Sequence, residues 1–314
     1  MALGNISDSF CLEFLLTNQN PDGGWGFHPA SPSAVEATAW ALLALISSPP
    51  ASSNVEARSR ASDWLLKAQL PDGSWPAFPG HPQGCWVTSL ASMALHLQGG
   101  AQSAVERGRD WVLNAWPAEH SRWWRIKQAI LPNRAARQNS ALSGWSWTPG
   151  TASWVEPTAH ALLFLRTLPP AMLPPSAAKR RQLAEAMLFD RMCPAGGWNS
   201  GNPLVYGVGG VPRNGPTAWA LMALRDCADR AEVPMSLDVL VKSYPEIKAA
   251  GSLALAHRSL VVHGRQSAPF PRAISDLYPY NHFFENTLTM AWIILAMNEK
   301  GSGAAKNPEA TANV

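Results

Sequence analysis

The sequence predicts an all-α fold, a double-layered α/α toroid (barrel) of about five to six helical hairpins. Three observations carry that expectation. The segment Phe14 to Trp25 (FLLTNQNPDGGW) returns as Trp64 to Trp75 (WLLKAQLPDGSW), offset by 50 residues, and self-similarity at such a period marks a repeat architecture. Each copy is followed by a Leu- and Ala-rich phrase that is almost wholly apolar, so that helix must be buried on most sides. No β-branched run is long enough to argue for strands.

The hairpins follow in order. In the first, Pro21-Asp22-Gly23 stops the outer helix, because proline restricts the residue before it and glycine takes a positive φ. The inner helix VEATAWALLAL then starts at Val35. The second unit repeats the turn as Pro71-Asp72-Gly73 and continues from Trp86 as WVTSLASMAL. The third keeps only GWSWTPG from Gly144 before VEPTAHALLFL from Val155, and the fourth joins AMLFDRMCPAGGW from Ala186 to NGPTAWALMAL from Asn214. Pro157 and Pro216 stand where a first helical turn tolerates proline. A less regular pair spans residues 236–264, and AWIILAM from Ala291 keeps the second half of a last phrase. One toroid domain over residues 1–298 is expected, with a basic, Trp-rich insertion at about 117–150 and a disordered tail at 299–314.

Of 314 residues, 46% are hydrophobic and 15% charged, which favours burial over intrinsic disorder. A net charge of +3 gives no polyelectrolyte character, so nucleic acid is excluded as a partner class. Cys11, Cys85, Cys193 and Cys227 lie far apart without a C-x-x-C pair, which reads as a reduced set and not as a zinc site. The N-terminus has no basic region ahead of its short apolar run, and no window approaches 18 uninterrupted apolar residues. A cytoplasmic protein is expected, one that can still touch a membrane surface. Fifteen tryptophans are the outlier of the composition.

Gln19 to Trp25 and Gln69 to Trp75 fit the pattern Q-x-x-x-G-x-W, the QW motif. That pattern resembles the repeat of squalene-hopene cyclases, oxidosqualene cyclases and the related protein-prenyltransferase β-subunits, over roughly residues 8 to 298. The resemblance implies an α/α toroid with a hydrophobic central cavity. In the cyclases an Asp-x-Asp-Asp-Thr-Ala motif supplies the acid that protonates the polyene; here those positions read Ala34 to Ala39, Ala-Val-Glu-Ala-Thr-Ala. Glu36 falls on the proton donor's position, and both flanking aspartates are replaced by alanine. The prenyltransferase branch uses a zinc site with Asp-x-Cys spacing; no such spacing occurs here, so no metal is expected.

Aligned without gaps, the inner helices place Glu36, Trp86, Glu156, Gly215 and Leu288 at one register, and Trp40, Leu90, His160, Trp219 and Trp292 one turn later. Residues four apart share a helix face, so two carboxylates are expected at a cavity rim with aromatic residues beneath. Ring faces attract developing carbocations, which assigns Trp40, Trp86, Trp219 and Trp292 to substrate binding. A glutamic acid buried among rings has a raised pKa and can act as a general acid, the role expected of Glu36. Glu156 and His160 are expected as an auxiliary proton-handling pair. An acid in the first turn of a helix also serves the helix dipole without any catalysis. Cys85, just ahead of its helix, is a candidate nucleophile because a helix N-terminus favours the thiolate, with His81 nearby. Asn202 and Tyr206, in a glycine-rich stretch, are candidate polar rim contacts.

From His120 to Val155 there is no acidic residue, while Arg122, Arg125, Lys127, Arg134 and Arg137 contribute five positive charges. The core Arg122-Trp123-Trp124-Arg125-Ile126-Lys127 mixes bases with interfacial aromatics, which reads as a membrane contact, as an anion-binding lid, or as a plain cover over the toroid. Taken together, the residues and the resemblance imply an isoprenoid-handling enzyme of class II terpene cyclase type, starting cyclisation or isomerisation by protonation and needing no cofactor. The alternative is a non-catalytic toroid that binds a polyprenyl lipid or a partner subunit that closes its cavity.

Overall fold

The apolar phrases fold as a ring of six helices, each backed by a more polar helix on the outside. In the computed structural model, which describes residues 7–130, 138–265, 269–277 and 285–299, the inner ring is α2 (Val35–Ser47), α4 (Val87–Gln98), α7 (Val155–Thr167), α9 (Asn214–Ala223), α11 (Ala250–Val262) and α13 (Thr287–Met297). Each packs on the next, and α13 packs back on α2, so the ring closes. The outer layer is α1 (Asp8–Thr17), α3 (Ser52–Ala68), α5 (Gln102–Asn114), α8 (Ser176–Asp190), α10 (Glu232–Ser243) and α12 (Phe270–Leu277). An extra helix, α6 (Arg122–Ile130), lies in the insertion between α5 and α7. The expected toroid is therefore present, with six hairpins.

Four tryptophans hold the first four hairpins together. Trp25, Trp75, Trp145 and Trp198 donate their indole N–H to the last-turn carbonyls of Leu15, Leu65, Val112 and Leu188, each at the end of an outer helix. Carbonyls in a last helical turn lack an intrahelical partner, so the indole helps to satisfy them, alone at Leu15 and Leu65 and beside the N–H of Ala115 and Arg191 at Val112 and Leu188. The backbone N–H of the same tryptophans donates to the hydroxyl of Thr38, Thr88, Thr158 and Thr217 on the inner helices, at 2.9, 2.9, 2.8 and 2.9 Å. Those hydroxyls donate back to the tryptophan carbonyls. Trp and Thr are 13 residues apart in the first three units and 19 in the fourth. The six extra residues are a small antiparallel hairpin, β1 (Leu204–Val205) and β2 (Val208–Gly209), which a glycine-rich sequence without a β-branched run did not announce.

Neighbouring units are tied by further bonds. Gln19 and Gln69 each donate to the carbonyl of their own turn glycine and to the next outer helix, at Ala57 and Ala104. Gly23 and Gly73 have φ of +97° and +88°, and a Cβ on either would stand 2.7 Å from the carbonyl oxygen of Arg60 or Arg107. Both left-handed geometry and close approach thus require glycine at these turns. The third unit lacks the glutamine, and Arg180 of α8 does its work, donating to the carbonyls of Ser143 and Gly144 while stacking on Trp145 at 3.7 Å. The first free N–H of an inner helix is met by the next unit's loop: Val35 donates to Ala77, and Val155 to Ser200. Thr287 of the sixth unit donates to Phe27 of the first, closing the circle.

Replacing Thr158 by valine keeps the shape and removes both bonds to the buried Trp145 backbone. A loss of about 1–3 kcal/mol is expected in urea denaturation, with similar losses for Thr38→Val, Thr88→Val and Thr217→Val. An unshifted midpoint in all four would show that these hydroxyls do not hold the hairpins.

Candidate active site

Halfway along the ring, equivalent residues of the inner helices meet at the centre. Ring centroids lie 4.5 Å apart for His160 and Trp219, 5.3 Å for Trp40 and Trp219, and 5.8 Å for Trp40 and His160. Trp292 joins them at 5.9 Å from Trp40 and 6.0 Å from Trp219, and Trp86 stands 5.0 Å from His160. The fifth inner helix makes room with Gly251, where a Cβ would come within 3.0 Å of the Trp292 ring. The aromatic register expected from the repeats is thus in place, but its rings touch one another. They form a floor across the lumen in place of separated walls.

One turn above the floor, toward the helix N-termini, Glu36, Trp86, Glu156 and Leu288 are half-buried. Gly215 occupies the same register of α9, and nothing lies within 4 Å of where its Cβ would stand. The fourth unit thus fills none of the space at this register.

Glu36 is the unusual group. It makes no hydrogen bond or ion pair among the described residues, and burial alone pushes its carboxyl up to about 7. Glu156 is also raised by burial, but Arg213, immediately ahead of α9, and a bond to its own backbone N–H pull it back. Arg213 was not singled out in the sequence; its one signal is a charge next to the apolar phrase of the fourth unit.

Several expectations need correction. Glu156 and His160 do not form a proton-handling pair: His160 is 4% exposed, and its ring meets the main chain of Glu156, not its carboxylate. Burial pushes its pKa down to about 3, with only the Glu156 backbone working the other way, so the ring is neutral at physiological pH. Cys85 is not poised as a thiolate. It is buried, burial pushes the thiol up, and the charge of neighbouring Glu36 pushes it further; bonds from the Val87 and Ala77 backbone offset only part of this. His81 is exposed and its ring is engaged with the Gln83 main chain. Tyr206 sits at the tip of the β hairpin, 79% exposed, and is no rim contact. Asn202 spends its polar groups on its loop: its side chain accepts from Gln138, its N–H donates to Asn199, and its carbonyl accepts from Asn199.

In the insertion, α6 turns an apolar stripe outward. Trp123, Ile126 and Ile130, spaced three and four apart, are 74%, 52% and 72% exposed, beside exposed Arg122 and Lys127. Trp124 is half-buried. The side chain of Arg125 lies outside the described residues, as do Arg134, Arg137 and residues 300–314. No described helix is long and apolar enough to cross a membrane, and no group of three or more His, Cys, Asp or Glu among the described residues could hold a metal ion.

The fold is thus an α/α toroid of helical hairpins, floored by aromatics, with one raised acid in the layer above. Residues 14–130 match the squalene-hopene cyclase N-terminal domain family. No curated protein matches the sequence. Among solved structures, the type II terpene cyclase MstE from Scytonema, as a variant bound to its product merosterolic acid A, superposes with a TM-score of 0.58 at 14% identity, over 93% of this chain and 95% of that one. Another MstE variant, bound to its substrate geranylgeranyl dihydroxybenzoate, gives 0.53 at 14% identity over 92% and 77%. A protein from Actinoplanes gives 0.59 at 14% identity over 93% and 99%. The chain is squalene-hopene cyclase-like by sequence over residues 14–130 and has the fold of type II terpene cyclases over nearly its whole length.

The raised acid links folding to pH. The folded Glu36 carboxyl keeps its proton to about 7 while an ordinary one releases it near 4.5. The folded chain holds the extra proton between these values, so the contribution is full below pH 4.5 and lost as pH rises through 7. Glu36→Gln is therefore expected to stabilise the protein by roughly 1–3 kcal/mol at pH 8 and to be near neutral at pH 4. Equal effects at both pH values, in denaturant titrations, would show that burial does not strain this carboxyl.

Proposed function

We propose that the protein is an isoprenoid-handling cyclase or isomerase in which Glu36 protonates an alkene or epoxide held above the aromatic floor. The observation that carries this reading is the Glu36 carboxyl, half-protonated near neutrality and without a hydrogen bond or ion pair among the described residues, one turn above Trp40 at the register where Gly215 leaves space. A general acid works best with a pKa near the operating pH. Proton transfer to a terminal alkene carbon leaves a cation that the faces of Trp40, Trp86, Trp219 and Trp292 stabilise, and loss of a proton from the rearranged cation returns the balance. The substrate printed for MstE carries a geranylgeranyl chain, which supports an apolar prenyl ligand here. The reaction requires no cofactor or metal. The outward stripe of α6 would let a single toroid domain rest on a lipid surface and draw its substrate from there.

A second reading is favoured by Ala34 and Ala37, both fully buried, where the cyclase motif has aspartates. Without a neighbouring carboxyl to hold or resupply its proton, the toroid would bind a polyprenyl lipid, alone or with a partner subunit, and leave it unchanged.

Purified protein incubated with squalene and with C15–C20 isoprenoids, then extracted for mass spectrometry, is expected to give a product of unchanged or water-shifted mass. Glu36→Gln should lower turnover by about a hundredfold or more, Glu156→Gln by much less. The rate should fall about tenfold per pH unit above about 7 as Glu36 loses its proton. Intact turnover in folded Glu36→Gln protein would remove the acid's role, and stoichiometric unchanged lipid would establish the carrier.

A further inference from the structure

On the other side of the aromatic floor from Glu36, the C-terminal halves of the inner helices enclose a cavity of about 280 Å³. Trp40 and Trp219 form its roof, and Leu43, Met93, Leu163 and Met222 its walls. Leu43, Leu163 and Met222 each come three residues after a member of the floor, one layer further down. Nothing in the protonation reading uses this cavity.

Three arginines rim its mouth: Arg166, Arg225 and Arg258. Arg166 is committed, donating to Asp226 at 2.9 Å and to the carbonyls of Met222 and Ala223. Arg258 is committed to Glu299 at 2.8 Å. Arg225 is different: its side chain is half exposed and reaches Asp226 only at 3.7 Å, on a carboxylate that already holds Arg166 and has Arg181 at 4.0 Å. Glu185 stands within electrostatic reach of Arg166 and Arg181, so among the described residues four guanidiniums (Arg166, Arg181, Arg225 and Arg258) face the carboxyls of Glu185, Asp226 and Glu299. The carbonyl ends of the inner helices also point this way and disfavour a bare anion. A ligand that combines one negative charge with apolar surface fits both facts, because burying its chain offsets that repulsion.

We propose that this mouth is a second ligand site, for the carboxylate of an aliphatic or prenyl chain, with the tail under Trp40 and Trp219 and the head group on Arg225. The site is independent of any chemistry at Glu36.

Calorimetric titration of the full chain near pH 8 with decanoate and with decanol tests it. Decanoate should bind saturably and about tenfold or more tighter than decanol. Arg225→Gln should remove most of that difference while leaving decanol binding intact. Leu97→Trp, at the exposed edge of the same mouth, should weaken both ligands, whereas Gly215→Leu, which fills the opposite side of the floor, should change neither. Absence of saturable binding, equal affinity for acid and alcohol, or sensitivity to Gly215→Leu in place of Leu97→Trp would each overturn the assignment.

Discussion

The bonds made by Trp25, Trp75, Trp145 and Trp198 decide where everything else in the lumen stands. Each tryptophan fixes the end of an outer helix through its indole and the start of an inner helix through a threonine hydroxyl. Because the threonine is the anchor, the inner helix cannot slide or rotate relative to its neighbours. The residue two before it must then fall at the rim and the residue two after it at the floor. Thr38 places Glu36 and Trp40, Thr158 places Glu156 and His160, and Thr217 places Gly215 and Trp219. A hydrogen bond that looks purely architectural therefore sets the register of the candidate site.

This explains what the sequence revealed and what it hid. The repeat was legible because its bonds join residues close in the chain, so tryptophan, glycine and threonine recur together. The register of Trp40, His160, Trp219 and Trp292 followed from it. Contacts between units left weaker traces. Arg180 replaces a turn glutamine from a helix more than thirty residues further on, and no pattern connects the two. Cys85 looked like a helix-start thiolate, but the helix N-terminus is outweighed by burial and by the charge of Glu36, which only the fold brings near. Tyr206 and Asn202 belong to an inserted hairpin whose six residues changed the unit's spacing without changing its anchor.

The two rim acids show how identical local phrases acquire different chemistry. Both occur as Val-Glu-x-Thr-Ala in the first turn of an inner helix. What separates them is the unit each faces. Four residues before its anchoring threonine, the fourth unit carries Arg213, which draws the Glu156 carboxyl down. At the equivalent position the second unit carries Gly84, whose Cβ would strike Ser74, followed by neutral Cys85. Nothing there compensates Glu36. Its raised pKa is thus a property of the neighbouring repeat's sequence and not of its own helix.

Some of the buried polar groups without partners lie at this centre. Among the described residues, the indole N–H groups of Trp40 and Trp292 are buried without partners, in the ring layer below Glu36. Each such group costs about 1–3 kcal/mol when left unsatisfied. The same chain satisfies its turns to the point of using an arginine where a glutamine is missing, so it is able to pair buried groups. Unpaired buried atoms also occur away from the lumen, at Asn54, Ser92, Ser143, Arg180 and Arg191, but those in the lumen stand where a ligand, a proton or an ordered water can recover the cost. Under the function and the second ligand site proposed above, one floor of rings would serve two sides of opposite character, an acid above and a guanidinium below.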